Sequence, residues 1–144
     1  MGLLDDYSNG VGSPRPAYQH QFVMAKALRR MIDEIEDQGL YLATEITVTQ
    51  DLNDLAPDIV IFDKDYIFLS AFEITKHREL KAIMRKCYEL IGRFPLAEYF
   101  VYDYELHIVY MYDAECDKWV SSLDYDLCST FLEKPVIEYF RNTL

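Results

Sequence analysis

The stretch Ala56-Pro57-Asp58-Ile59-Val60-Ile61-Phe62-Asp63-Lys64-Asp65-Tyr66-Ile67-Phe68-Leu69-Ser70-Ala71-Phe72-Glu73-Ile74 decides the fold. Two short apolar runs, rich in β-branched and aromatic residues, flank the polar connection Asp63-Lys64-Asp65. Runs of this kind read as buried strands, here near 58–63 and 66–74, joined as a hairpin. Each run carries one acid, Asp58 in the first and Glu73 in the second. A lone carboxylate in such surroundings is costly unless something neutralises it. A divalent cation would do so, and two carboxylates on neighbouring strands form an oxygen cradle for one.

Working back from the hairpin, Tyr41 to Thr49 alternates and is rich in β-formers, which predicts a strand, and 51–54 reads as a turn. Before it, Phe22, Met24, Ala27, Leu28, Met31, Ile32 and Ile35 recur at helical spacing. That spacing predicts a helix over Ala17 to Asp37, with Pro16 at its start and Gly39 at its stop. Residues 1–16, rich in Gly, Asp, Ser, Asn and Pro, read as a mobile lead-in to one domain over 17–144.

Working forward, Thr75 to Gly92 reads as a second helix with Leu80, Ile83, Met84, Cys87 and Ile91 on one face. Arg93-Phe94-Pro95 breaks it. Strands follow over 98–103 and 106–112, then a turn at 113–117, a short strand at 119–123 and a terminal helix over 136–141. Tight turns imply antiparallel pairs, and the helix between the third and fourth strands is a crossover that permits a parallel pair. The expected fold is α/β (α+β): a mixed sheet flanked by two helices.

Composition narrows the function. The 144 residues carry a net charge of −11, which disfavours nucleic-acid binding over the whole surface. A local basic patch beside a bound cation escapes that objection. Three scattered cysteines, Cys87, Cys116 and Cys128, lack metal-ligand spacing and point to reduced thiols in a cytoplasmic setting. No apolar run reaches the roughly 18 residues of a membrane span, and the first residues do not read as a secretion signal.

The ordered pieces Ser13-Pro14, His20-Gln21, Ala56-Pro57-Asp58-Ile59-Val60-Ile61, Phe72-Glu73-Ile74-Thr75, Lys86-Cys87-Tyr88 and Glu98-Tyr99-Phe100-Val101-Tyr102-Asp103 resemble the PD-(D/E)XK nuclease superfamily. More narrowly they resemble its Uma-two branch of restriction-endonuclease-like proteins. The resemblance spans roughly residues 13 to 112. It implies a restriction-endonuclease-like core and a metal-dependent endonuclease, with Asp58 and Glu73 holding magnesium or manganese. It also implies a lysine that assists the attacking water. The superfamily pattern puts that lysine two residues after the acid, where this chain has Thr75. Lys86, ahead of Tyr88, is the best substitute, with Lys76 and Lys81 as the others.

Other residues near these carry alternatives. His20, Arg78 and Arg85 are candidates to contact nucleic acid, and Lys76 to Lys86 form the one basic stretch of an acidic chain. As a helix face that stretch is equally readable as solvated. Tyr99, Tyr102, Tyr104, Tyr110 and Tyr112 could stack on bases. Cross-strand pairs within the sheet account for them more simply. A rival reading keeps the scaffold and drops the chemistry: a catalytically inactive, protein-binding or homodimerising module, favoured by Thr75 and the acidic surface. A third is a metal-dependent hydrolase acting on something other than nucleic acid.

Overall fold

The protein is described by a computed structural model covering residues 18–45, 56–93 and 96–144. The anticipated lead-in, Ser13-Pro14, the far half of the 41–49 strand, the 51–54 turn and the Phe94-Pro95 break lie outside the described residues.

Helix α1 runs Tyr18–Asp37 and buries Val23, Met24, Ala27, Met31 and Ile35, residues three or four apart on one stripe. It ends as Gly39 implied. Gly39 takes a left-handed φ of 75°, its N–H bonds the Glu36 carbonyl, and the Leu40 N–H reaches back to Ile35. The strands are β1 (Tyr41–Thr44), β2 (Ile59–Phe62), β3 (Phe68–Thr75), β4 (Glu98–Asp103), β5 (Ile108–Asp113) and β6 (Lys118–Ser121). Helix α2 (Leu80–Arg93) links β3 to β4, and a one-turn helix α3 (Ile137–Phe140) lies near the C-terminus. None of the described helices is long and apolar enough to cross a membrane.

The six strands pair in chain order, β1 through β6, in one mixed sheet. Every neighbouring pair is antiparallel except β3 and β4, which run parallel with Glu73 opposite Val101 and Thr75 opposite Asp103. The β2–β3 turn is closed by Asp63, whose Oδ1 accepts the N–H of Asp65 at 2.9 Å and of Ile67 at 3.0 Å. The parallel pair is the consequence of the α2 crossover.

Side chains alternate between two faces, as a period of two requires. One face gathers Ile59, Ile61, Phe72, Ile74, Phe100 and Tyr102 under α1 and α3, with Phe72 stacked on Phe100 at 5.1 Å. The other gathers Val60, Ala71, Tyr99 and Val101 under Leu80, Cys87 and Leu90 of α2. Glu73 lies between Phe72 and Ile74 in β3, so it is directed to the α2 face.

The second helix departs from its expected bounds. Thr75 belongs to β3 rather than to a helix, and a 3-10 turn (His77–Glu79) precedes α2. The reason is tertiary: Thr75 pairs with Asp103 in the parallel ladder, and its carbonyl accepts the Tyr104 N–H. The strand expected over 106–112 is Ile108–Asp113, and the one over 119–123 is Lys118–Ser121.

Candidate active site

The parallel pair and its crossover helix build the site. Glu73 is 1% exposed. Its Oε2 accepts the Lys86 ammonium at 2.9 Å and the Tyr99 hydroxyl at 2.5 Å. Its Oε1 accepts the Asp58 N–H at 3.3 Å. Lys86 descends from α2, and its Nζ also donates to the Ala56 carbonyl at 3.0 Å. Tyr99 comes from β4, on the same sheet face as Glu73.

Asp58 sits just ahead of β2. Its Oδ2 accepts the Ile74 N–H at 2.7 Å and the His20 Nε2–H at 3.2 Å. A carboxylate can only accept, so the His20 proton lies on Nε2. Among the described residues Oδ1 has no partner, and the Asp58 side chain is 16% exposed. The two acids therefore share a layout. One oxygen of each is tied by side-chain donors from α1, α2 or β4, while the other receives at most a backbone N–H.

Burial raises the Glu73 pKa to about 7, and the charge of Asp58 pushes the same way. Lys86 opposes both, as do the hydrogen bonds from Tyr99 and Lys86, but the loss of water outweighs them. The hydrogen bond to Asp58 raises the pKa of His20 against the lowering effect of burial. Burial and the Glu73 charge drive the Tyr99 hydroxyl far upward, so it stays protonated and donates. The Cys87 thiol is raised by burial and by Glu73, which removes it as a nucleophile.

Of the lysines weighed from sequence, Lys86 alone meets the acids. Lys76 lines a separate hollow with Arg78, Gln19, Tyr104 and Glu105. Lys81 and Arg85 are exposed on α2. No hydrogen bond or ion pair ties Lys76, Lys81, Arg78 or Arg85 to Asp58 or Glu73 among the described residues. Glu73 pairs with Lys86. His20 is engaged by Asp58. His77, from the basic stretch, donates through Nδ1 to the wholly buried Asp103 at 2.7 Å.

One contributor to the site, Tyr99, and one structural acid outside it, Asp103, have roles that the sequence does not mark. Tyr99 was weighed as a stacking or sheet-filling aromatic, yet its hydroxyl holds Glu73. Its place on the strand after the crossover, parallel to the strand of Glu73, was the available signal. The turn role of Asp103 also went unread: its Oδ1 accepts the N–H groups of Glu105 and Leu106 at 3.0 and 3.1 Å.

The donor set suits a hard cation. Asp58 Oδ1 and Glu73 Oε1 are the oxygens left least occupied, and magnesium is commonly held by one or two carboxylates with water completing its shell. Among the described residues no group of three or more His, Cys, Asp or Glu side chains assembles for a metal, so a closed structural cage is not built.

No family model and no curated protein sequence matches this chain. A solved structure does. It is that of a putative nuclease belonging to DUF820 from Anabaena variabilis ATCC 29413, with 16% sequence identity and a TM-score of 0.69. The match covers 93% of this chain and 87% of that one. At this identity the likeness concerns the fold: the mixed six-stranded sheet with flanking helices is α+β and of the restriction-endonuclease-like kind.

Proposed function

We propose that the protein is a metal-dependent nuclease of the Uma-two type, hydrolysing phosphodiester bonds in nucleic acid. The observation that carries this reading is the meeting of Asp58, Glu73 and Lys86 across 28 residues of sequence, with Lys86 at 2.9 Å from Glu73. The motif position for a lysine is held by Thr75, and Lys86 brings an ammonium to the same acid from the crossover helix α2. The similar structure noted above is consistent with this reading.

Asp58 and Glu73 would hold magnesium or manganese, which when bound lowers the pKa of a ligated water and offsets charge on the phosphate. Lys86 is held by Ala56 and Glu73 through two of its three N–H donors. Among the described residues the third has no partner, and it would orient a water or bind a phosphate oxygen. His20 and the Ile74 N–H fix the Asp58 carboxylate through Oδ2, which leaves Oδ1 without a partner among the described residues. Arg78 and Lys76 in the neighbouring hollow would take flanking phosphates, where they act by charge alone.

A second reading, an inactive scaffold that binds protein or a second copy of itself, is favoured by the enclosure of Glu73 and the charge of −11. One experiment separates the two. The purified chain is incubated with magnesium or manganese and with duplex and single-stranded DNA and RNA. Cleavage that disappears in Glu73→Gln supports the nuclease, whereas no cleavage of any substrate together with stable self-association supports the scaffold.

A further inference from the structure

Resting on that reading, we infer that Tyr99 is a positioning residue for the metal site: its hydroxyl fixes the Glu73 carboxylate so that Oε1, rather than Oε2, faces Asp58. The geometry is specific. Glu73 has two oxygens, and both strong side-chain donors converge on the same one. Tyr99 donates to Oε2 at 2.5 Å and Lys86 at 2.9 Å. Oε1 receives a single long contact, the Asp58 N–H at 3.3 Å, which places that oxygen beside the other acid.

Lys86 alone would not set this orientation. An ammonium is a compact charge on a flexible stem and can serve either oxygen. A phenol on a buried ring points one way. Tyr99 is 1% exposed, packed in β4 among Val60, Ala71, Val101 and Leu90 on the α2 face. The parallel register sets its partner: Tyr99 lies opposite Ala71, two residues before Glu73 on the same face. The hydroxyl at the end of that ring reaches along β3 to Oε2. Groups that orient a metal's carboxylates from behind commonly contribute about 10- to 100-fold in affinity.

The test is manganese binding by the full chain without nucleic acid, read as free manganese by electron paramagnetic resonance. Tyr99→Phe keeps the ring and removes the donor. It is expected to weaken binding about tenfold, while the metal-free protein stays folded with a melting temperature lowered only by the loss of one buried hydrogen bond. Tyr102→Phe is the control. It removes a buried hydroxyl of the same strand that bonds His107 on the opposite face, and it should leave affinity within about twofold. Unchanged or tighter binding in Tyr99→Phe overturns the inference and leaves the nuclease reading standing. A weakened affinity matched by collapse of the fold, or shared by Tyr102→Phe, assigns Tyr99 to packing and also overturns it. A wild-type chain that takes up no manganese removes both.

Discussion

Lys86 and Glu73 form an ion pair at 2.9 Å although the glutamate is 1% exposed and the lysine belongs to a different element. Removing one member of such a pair leaves the other stranded in a place without water. Lys86→Met should therefore destabilise the protein by roughly 1–3 kcal/mol in urea unfolding. The loss should be larger at pH 8 than at pH 6, because the abandoned Glu73 can be relieved by a proton at the lower pH. The same variant should abolish cleavage, while Lys81→Ala, on an exposed helix face, should change stability by less than about 0.5 kcal/mol. Equal losses at the two pH values would show that Glu73 does not carry the charge assigned to it.

The pH dependence of the metal-free protein follows from the same acid. Its folded pKa, about 7, lies above the ordinary value of 4.5. The folded state thus binds more protons than the unfolded state between those values. Stability from Glu73 is fully present below pH 4.5 and is lost as pH rises through 7. His20, also raised, acts in the same direction: its contribution is present below 6.5 and is lost as pH climbs through its higher folded value. Between pH 5 and 8 Glu73 accounts for a decline of at most roughly 3 kcal/mol. Glu73→Gln should flatten that decline, and manganese should restore stability at pH 8. Parallel curves for wild type and Glu73→Gln would contradict the assignment.

Moving the lysine tests whether its chemistry depends on its element. Thr75 is 2% exposed and lies on the sheet face of Glu73, two residues along β3. In the Lys86→Met background, Thr75→Lys should recover a measurable part of the lost cleavage. Recovery of none, in a folded double variant, would show that an ammonium must approach from α2.

Asp103 should matter for folding and not for metal. It is fully buried, and its carboxylate is shared between His77 and two N–H groups of the β4–β5 turn. Asp103→Ala strands those donors and should cost about 2–4 kcal/mol in chemical denaturation. In the protein that remains folded, manganese affinity should match wild type. A selective loss of manganese binding would move Asp103 into the site.

The strands and their order were legible because local signals agreed. β4 matches its expected bounds, Glu98 to Asp103, and the α1 stop was marked by Gly39. The start of α2 was not legible, since Thr75 is kept extended by Asp103 and Tyr104, residues 28 and 29 positions away. The two acids were legible as charges inside apolar runs. The partners of those acids were less so. Lys86 was one of three lysines on or near a helix whose rotation relative to the sheet is fixed only by packing of Cys87 and Leu90. His20 lies 38 residues before Asp58, and nothing local in either segment announces their bond. Tyr99 was hidden by its type: a tyrosine in a strand is ordinarily accounted for by its ring.

The parallel pairing of β3 with β4 gives the two halves of the ion pair unequal tolerance to a change of chain length. One residue inserted within β3 ahead of Glu73 would transfer that side chain to the opposite face of the sheet, under α1. One residue inserted in α2 ahead of Lys86 would swing the ammonium by about 100° around the helix axis, a displacement that a long flexible stem can partly reverse. Lineages that carry this architecture should accordingly hold the acid's address rigid and let the base drift.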